Sequence, residues 1–159
     1  SIGVKICNNF SKLKNETHKL FKIYNKLIFE EFIGGQEIQV AVLNNKALGA
    51  IELKPKRKFY DYKAKYQKSS KTKHIMPANL KKKEYMQILK ISVKAHKVLN
   101  CRGVTRSDFK FFNNKFYMLE INTQPGMTNL SLVPEIAKYK NITFVNLVKK
   151  ITDDANVNK

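Results

Sequence analysis

The segment from Val104 to Asn122 constrains the fold more than any other part of the chain. Two strand-like runs, Val104 to Phe112 and Phe116 to Asn122, flank an Asn-rich break and read as an antiparallel hairpin. Its register decides which side chains meet, because a slip of one residue sends every side chain to the opposite face. A two-residue turn at Asn113-Asn114 would set Asp108 opposite Leu119, a carboxylate against an apolar group. A three-residue loop, Asn113-Asn114-Lys115, pairs Phe112 with Phe116 and Asp108 with Glu120, and is the expected one. Arg106, Asp108, Glu120 and Asn122 then share one face, since strand side chains alternate. Phe109, Phe111, Tyr117, Leu119 and Ile121 line the other and supply a core.

The remaining pattern is compatible with that hairpin. Glu37 to Leu43 and Lys46 to Leu53 form a second one, turning at Asn44-Asn45. Ser1 to Ile6 reads as a strand edge, and Lys26 to Ile33 as a strand ending at Gly34-Gly35. Helical spacing predicts helices over Ser11 to Tyr24 and Leu80 to Leu99, then short ones over Leu132 to Tyr139 and Phe144 to Ile151. Pro55 to Pro77 lacks periodicity but holds Phe59, Tyr60, Tyr62 and Tyr66, too many aromatics for a plain linker. A long irregular segment of this kind is read as a loop folding over the domain. The expected class is α+β, a largely antiparallel sheet flanked by helices with a long loop. Residues 1–154 make one region and 155–159 a frayed tail.

Composition narrows the function. The chain of 159 residues carries a net charge of +19, from 31 basic and 12 acidic residues. Such an excess attracts phosphate backbones. Only Arg57, Arg102 and Arg106 are arginines, however, and nucleic-acid recognition favours arginine forks. A basic nucleic-acid-binding module is therefore the alternative, and no nucleic-acid partner is expected; the charge also suits a polyphosphate nucleotide. Cys7 and Cys101 stand alone, as free thiols of a reducing compartment do. His18, His74 and His96 show no metal-ligand spacing, which argues against zinc. No apolar run reaches the about 18 residues of a membrane span, and no secretory signal pattern opens the chain. A cytoplasmic location is expected.

Asp108, Glu120 and Asn122 present two carboxylates and an amide, hard oxygen donors suited to Mg²⁺ or Mn²⁺. A solvated polar face has the same pattern, and spacing alone leaves both readings open. Two like charges in opposition are unfavourable without a cation, which tilts the balance towards metal. Arg106 on that face can stabilise a developing oxyanion, or simply bridge to Glu120. In the following loop, Pro125-Gly126 suits a type II turn with Gly at its second central position, and Ser131 suits a helix N-cap. Backbone amides there can hold a substrate carboxylate or serve only as a cap.

Three stretches carry a resemblance: Gly103-Val-Thr-Arg-Ser-Asp108, Met118-Leu-Glu-Ile-Asn-Thr-Gln-Pro-Gly-Met-Thr128 and Ser131-Leu-Val-Pro134. Together they resemble the C-terminal part of bacterial D-alanine–D-alanine ligases of the ATP-grasp superfamily. Phe59-Tyr-Asp-Tyr-Lys-Ala-Lys-Tyr66 is similar to the family's active-site loop, and Glu30-Glu-Phe-Ile-Gly-Gly-Gln-Glu37 to its adenine- and ribose-binding strand. The resemblance implies ATP-dependent joining of two D-alanines through an acyl phosphate, for peptidoglycan precursors. It implies that Asp108, Glu120 and Asn122 hold two Mg²⁺ or Mn²⁺ ions. Arg106 and the Gly126 amide would form the oxyanion site, and Ser131 with the Leu132 amide would bind the second substrate's carboxylate. Glu30 and Ile33 would contact adenine, Glu37 the ribose and Lys65 the transferred phosphate, with Tyr66 locking the loop. An intact Ala-Lys-Tyr at that loop favours D-alanine over D-lactate; another ATP-grasp carboxylate–amine ligase is the nearest alternative.

Family members are about twice this long, and the chain does not begin with Met. The expectation is therefore a C-terminal portion lacking the N-terminal substrate domain and part of the central domain, with little activity alone. A companion N-terminal half and a homodimeric full-length form are implied partners. Glu31 stands where the family often has Lys, and Lys110 where it has an apolar residue near the adenine; both are expected to weaken ATP binding.

Overall fold

A strand persists only where a neighbour takes up its backbone hydrogen bonds, and this sorts the expected strands into those that form and those that do not. The computed structural model describes residues 3–54 and 72–155, in two units, Ser1–Ile33 and Gly34–Lys159. In the first, helix α1 spans Phe10–Phe21, and the Asn9 side chain caps it by accepting from the Lys12 amide at 2.8 Å. Lys26 to Ile33 forms no strand, contrary to expectation, and neither do residues 3–7. Among the described residues no strand pairs with either run, so sequence pattern alone does not make them β.

The second unit holds strands β1 (Gln36–Leu43), β2 (Lys46–Lys54), β3 (Lys73–Ile75), β4 (Val104–Phe112) and β5 (Lys115–Asn122). Among the described residues it also holds helices α2 (Lys82–Val98), α3 (Leu132–Tyr139) and α4 (Phe144–Asp154). The sheet runs β3-β2-β1-β4-β5, and every neighbouring pair is antiparallel. The expected α+β class is thus observed.

Both hairpins close on two asparagines in the left-handed region: Asn44 and Asn45 at φ 47 and 63, Asn113 and Asn114 at φ 49 and 58. Turns with two such residues match the twist of the flanking strands, and asparagine tolerates that conformation better than most residues. The second hairpin therefore differs from the three-residue loop expected for it: Phe112 pairs with Lys115, not Phe116. Asp108 still faces Glu120, because the register shifts between Asp108 and Phe109, with Phe109 opposite Met118. Leu119 is the extra residue of this bulge and is exposed rather than in the core. Phe116 takes the core place expected for Tyr117, with its ring 4.5 Å from Phe111 and edge-on to Phe109.

The sheet is covered on both sides. Ile38, Val40, Ala50 and Phe109 pack under Ile88 of α2. On the other face Ala41, Ile51 and Leu53 pack against Leu132, Val133, Ile136 and Ala137 of α3 and Leu147 of α4. Each fully buried aliphatic group of this kind contributes about 1.5–3 kcal/mol.

His96 sits fully buried at the end of α2, with Nδ1 2.8 Å from the Thr105 hydroxyl of β4. Burial pushes its pKa below the ordinary 6.5, partly offset by the charge of Asp154. The fold prefers the neutral ring, so below about pH 6.5 the unfolded chain binds the additional proton. Stability is full above that value and falls as pH drops from it to the depressed folded-state value. Urea midpoints at pH 7.5 and 5.5 check this: the drop expected for the native chain should vanish in His96→Gln.

Candidate active site

Alternation on β4 and pairing with its two neighbours build the site. Arg106 and Asp108 stand two residues apart on the face that carries α3, opposite Ala41 and Gln39 of β1 and opposite Asn122 and Glu120 of β5. The Arg106 guanidinium grips Asp108 in a fork, Nε donating to Oδ1 at 2.7 Å and Nη2 to Oδ2 at 2.9 Å. Paired N–H···O⁻ bonds of this type are among the strongest a protein makes. Both side chains are sheltered, at 14 % and 8 % exposure, whereas Glu120 is 59 % exposed with Oε1 3.9 Å from Arg106 Nη2. Of these two carboxylates Arg106 holds Asp108 closely and Glu120, the partner expected for a simple bridge, only loosely.

Asn122 ends β5 and turns its Oδ1 to the Gln124 amide at 2.9 Å. This local bond fixes the amide at the rim of the face. Among the described residues no three His, Cys, Asp or Glu side chains converge, so the donor set is two carboxylates and one amide. That set fits a hard divalent cation: all its donors are oxygens, one carboxylate is open, and the facing charges gain from neutralisation.

The loop after β5 departs from expectation. Gly126 is not in the left-handed region, so Pro125-Gly126 is no type II turn. Its glycine is required by space instead, because a Cβ there would lie 2.9 Å from Ser131 Oγ. Ser131 does occupy the N-cap position of α3, but its hydroxyl makes no cap bond. It accepts from the Thr128 amide at 3.0 Å and lies 2.9 Å from the Thr128 hydroxyl. The amides of the first turn, Leu132 among them, are therefore not taken by that hydroxyl, while the Leu132 side chain is buried in the core. Gly126, Ser131 and Leu132 thus stand together at the start of α3.

Glu37 lies on the same sheet face, one alternate position from Gln39, and Lys110 holds its Oε2 at 2.9 Å. Lys110 thus neutralises the carboxylate that the resemblance gives to ribose, an ion pair that spacing across two separate strands did not reveal. Glu30 and Ile33 belong to the first unit, in chain outside any strand. Lys65 and Tyr66, with most of the Pro55 to Pro77 loop, lie outside the described residues, as do 156–159 of the expected tail.

Similarity to known proteins identifies the family. The family model described as D-ala D-ala ligase C-terminus matches residues 1–153. A D-alanine–D-alanine ligase of Pelagibacter ubique is 60 % identical over all of this chain and 52 % of its own length. The ligase of Wolbachia pipientis wMel is 46 % identical over 98 % of this chain and 50 % of its own. The crystal structure of a Bacillus anthracis D-alanine–D-alanine ligase complexed with ATP superposes with a TM-score of 0.78 at 29 % identity, covering 94 % of this chain and 49 % of that one. The chain spans about half the length of the curated relatives it matches. With an antiparallel sheet of matching architecture and a family match over nearly its whole length, the chain belongs to the C-terminal, ATP-grasp family of D-alanine–D-alanine ligases.

Proposed function

We propose that this chain is the nucleotide- and cation-binding half of an enzyme that joins two D-alanines at the expense of ATP, acting in the cytoplasm on peptidoglycan precursors. The observation that carries the reading is the convergence of Arg106, Asp108, Glu120 and Asn122 on one sheet face beside the α3 start. In this reading one D-alanine carboxylate attacks the γ-phosphorus of ATP and releases ADP. The second D-alanine's amine then displaces phosphate from the acyl phosphate and loses a proton. Asp108, Glu120 and Asn122 would hold two Mg²⁺ or Mn²⁺ ions, which would supply neutralisation of phosphate charge.

The protein's own groups do the positioning. Arg106 and the Gly126 amide stabilise the oxyanion of the tetrahedral intermediate, where preorganised donors act most strongly. Ser131 and the Leu132 amide orient the second carboxylate at the α3 N-terminus, whose dipole favours an anion. Glu37 serves the ribose once Lys110 yields it, and Glu30 with the backbone near Ile33 serves adenine. Lys65 reaches the transferred phosphate, and Tyr66 keeps the loop shut so that water does not hydrolyse the acyl phosphate. A companion N-terminal half supplies the remaining substrate contacts, and the complete enzyme is a homodimer. Mixing this chain with the N-terminal half of a close relative tests the reading. ATP-dependent D-alanyl-D-alanine should form only in the mixture, with D-lactate a poor substitute. A mixture giving no dipeptide, or this chain alone turning over, contradicts it.

A further inference from the structure

Ser131 stands at the N-cap position of α3, but its hydroxyl is turned to Thr128 rather than to the helix. The Thr128 amide donates to Ser131 Oγ at 3.0 Å, and the Thr128 hydroxyl lies 2.9 Å from the same oxygen. The turn that joins them is fastened twice more. The Ser131 amide donates to the Thr128 carbonyl at 2.9 Å, and the Leu130 amide donates to Thr128 Oγ1 at 3.3 Å. Thr128 thus meets Ser131 with its amide, its carbonyl and its hydroxyl, although it belongs to no helix or strand.

Counting protons decides what this arrangement offers. A serine hydroxyl has one proton and two lone pairs. The Thr128 amide takes one lone pair of Ser131, and the contact between the two hydroxyls can run in either sense. If Ser131 donates to Thr128, its only proton is spent, and it meets an approaching anion with a lone pair. If Thr128 donates to Ser131, both lone pairs are filled and the proton is held in the one tetrahedral direction left. The Leu130 amide permits this second sense, because it uses a lone pair of Thr128 and not its proton. A carboxylate only accepts, so its arrival selects the second sense, in which each hydroxyl polarises the next.

We infer that Thr128 is a positioning residue for the second substrate: its amide and hydroxyl fill both lone pairs of Ser131 and fix that hydroxyl as a donor to the D-alanine carboxylate. This rests on the reading above, in which Ser131 orients that carboxylate.

The test uses the mixture of this chain with the N-terminal half of a close relative, following dipeptide formation against D-alanine at saturating ATP. Thr128→Val removes the hydroxyl while keeping the shape and the amide. It should raise the KM for the second D-alanine about five-fold, the worth of one ordinary hydrogen bond. The kcat and the KM for ATP should be unchanged, because the second carboxylate does not react and is held alike in ground and transition states. Thr128→Ser, which keeps a hydroxyl, should restore the native KM. In a Ser131→Ala background Thr128→Val should add nothing, since the group it acts through is gone. A merely structural role would instead lower the melting temperature and spread the loss over kcat and the ATP KM, which overturns the inference. An unchanged second KM in Thr128→Val, or a further rise in the Ser131→Ala background, overturns it as well. No dipeptide from the native mixture, or a second KM that Ser131→Ala leaves untouched, overturns the reading beneath it.

Discussion

Asp108→Ala is expected to cost the chain about 1.5–3 kcal/mol of stability, because it removes the carboxylate that the sheltered Arg106 guanidinium grips in a fork. For a chain of this size that is a fall in melting temperature on the order of 10 °C. Glu120, 3.9 Å from the guanidinium, is too distant and too exposed to replace what is lost. The diagnostic comparison is the double variant Arg106→Met, Asp108→Leu. Exchanging both partners of a buried pair for apolar groups is often neutral, so this variant should recover most of the stability while losing cation binding. Thermal unfolding of the three chains at one pH measures both effects. A double variant as unstable as Asp108→Ala would mean that the loss comes from packing rather than from the broken fork.

Gly35→Ala should be similarly damaging for a different reason. Gly35 has φ +84, and a Cβ there would stand 2.2 Å from the Phe111 carbonyl oxygen and 3.0 Å from Phe112 Cβ. The carbonyl belongs to β4, whose Phe111 pairs with Gln36, so it cannot simply rotate aside. Left-handed strain and overpacking together amount to about 2–5 kcal/mol. Gly34→Ala is the control: its added Cβ would meet only Phe112 Cε2, at 3.9 Å, and φ there is not positive. Urea midpoints should separate the two substitutions clearly. Equal midpoints would show that the start of β1 yields freely and does not fix the position of Glu37.

The clustering on β4 and β5 was legible in the sequence, though by a route that the structure does not follow. Alternation put Arg106, Asp108, Glu120 and Asn122 on one face, and the carboxylates do oppose each other. The turn closes on two asparagines, and a bulge at Leu119 restores the register that a longer loop was expected to supply. Bulges leave little trace in composition, since any residue can be the extra one, so the exposed Leu119 was assigned to the core. Lys26 to Ile33 shows the complementary failure. Its side-chain pattern is that of a strand, but pairing is a property of neighbours, which periodicity does not report.

At the α3 start, residue types pointed to the right place and the wrong detail. Gly126 is needed for room beside Ser131, not for a positive φ, and Ser131 sits at the cap without capping. Non-local polar contacts were the least legible. Lys110 with Glu37, and His74 with Glu135 at 2.7 Å, join residues far apart in the chain, so no spacing rule finds them.

We propose that the β4–β5 face is a seat for phosphate-bound divalent cations. The direct measurement is Mn²⁺ retention by this chain in the presence of AMP-PNP, compared with Glu120→Ala and Asn122→Ala. These two substitutions remove ligands at the rim of the face and leave the Arg106–Asp108 fork in place. The native chain should retain Mn²⁺ in a nucleotide-dependent manner, and each variant should lose that retention while keeping its melting temperature. Undiminished Mn²⁺ binding in both variants, or none in the native chain, would contradict it.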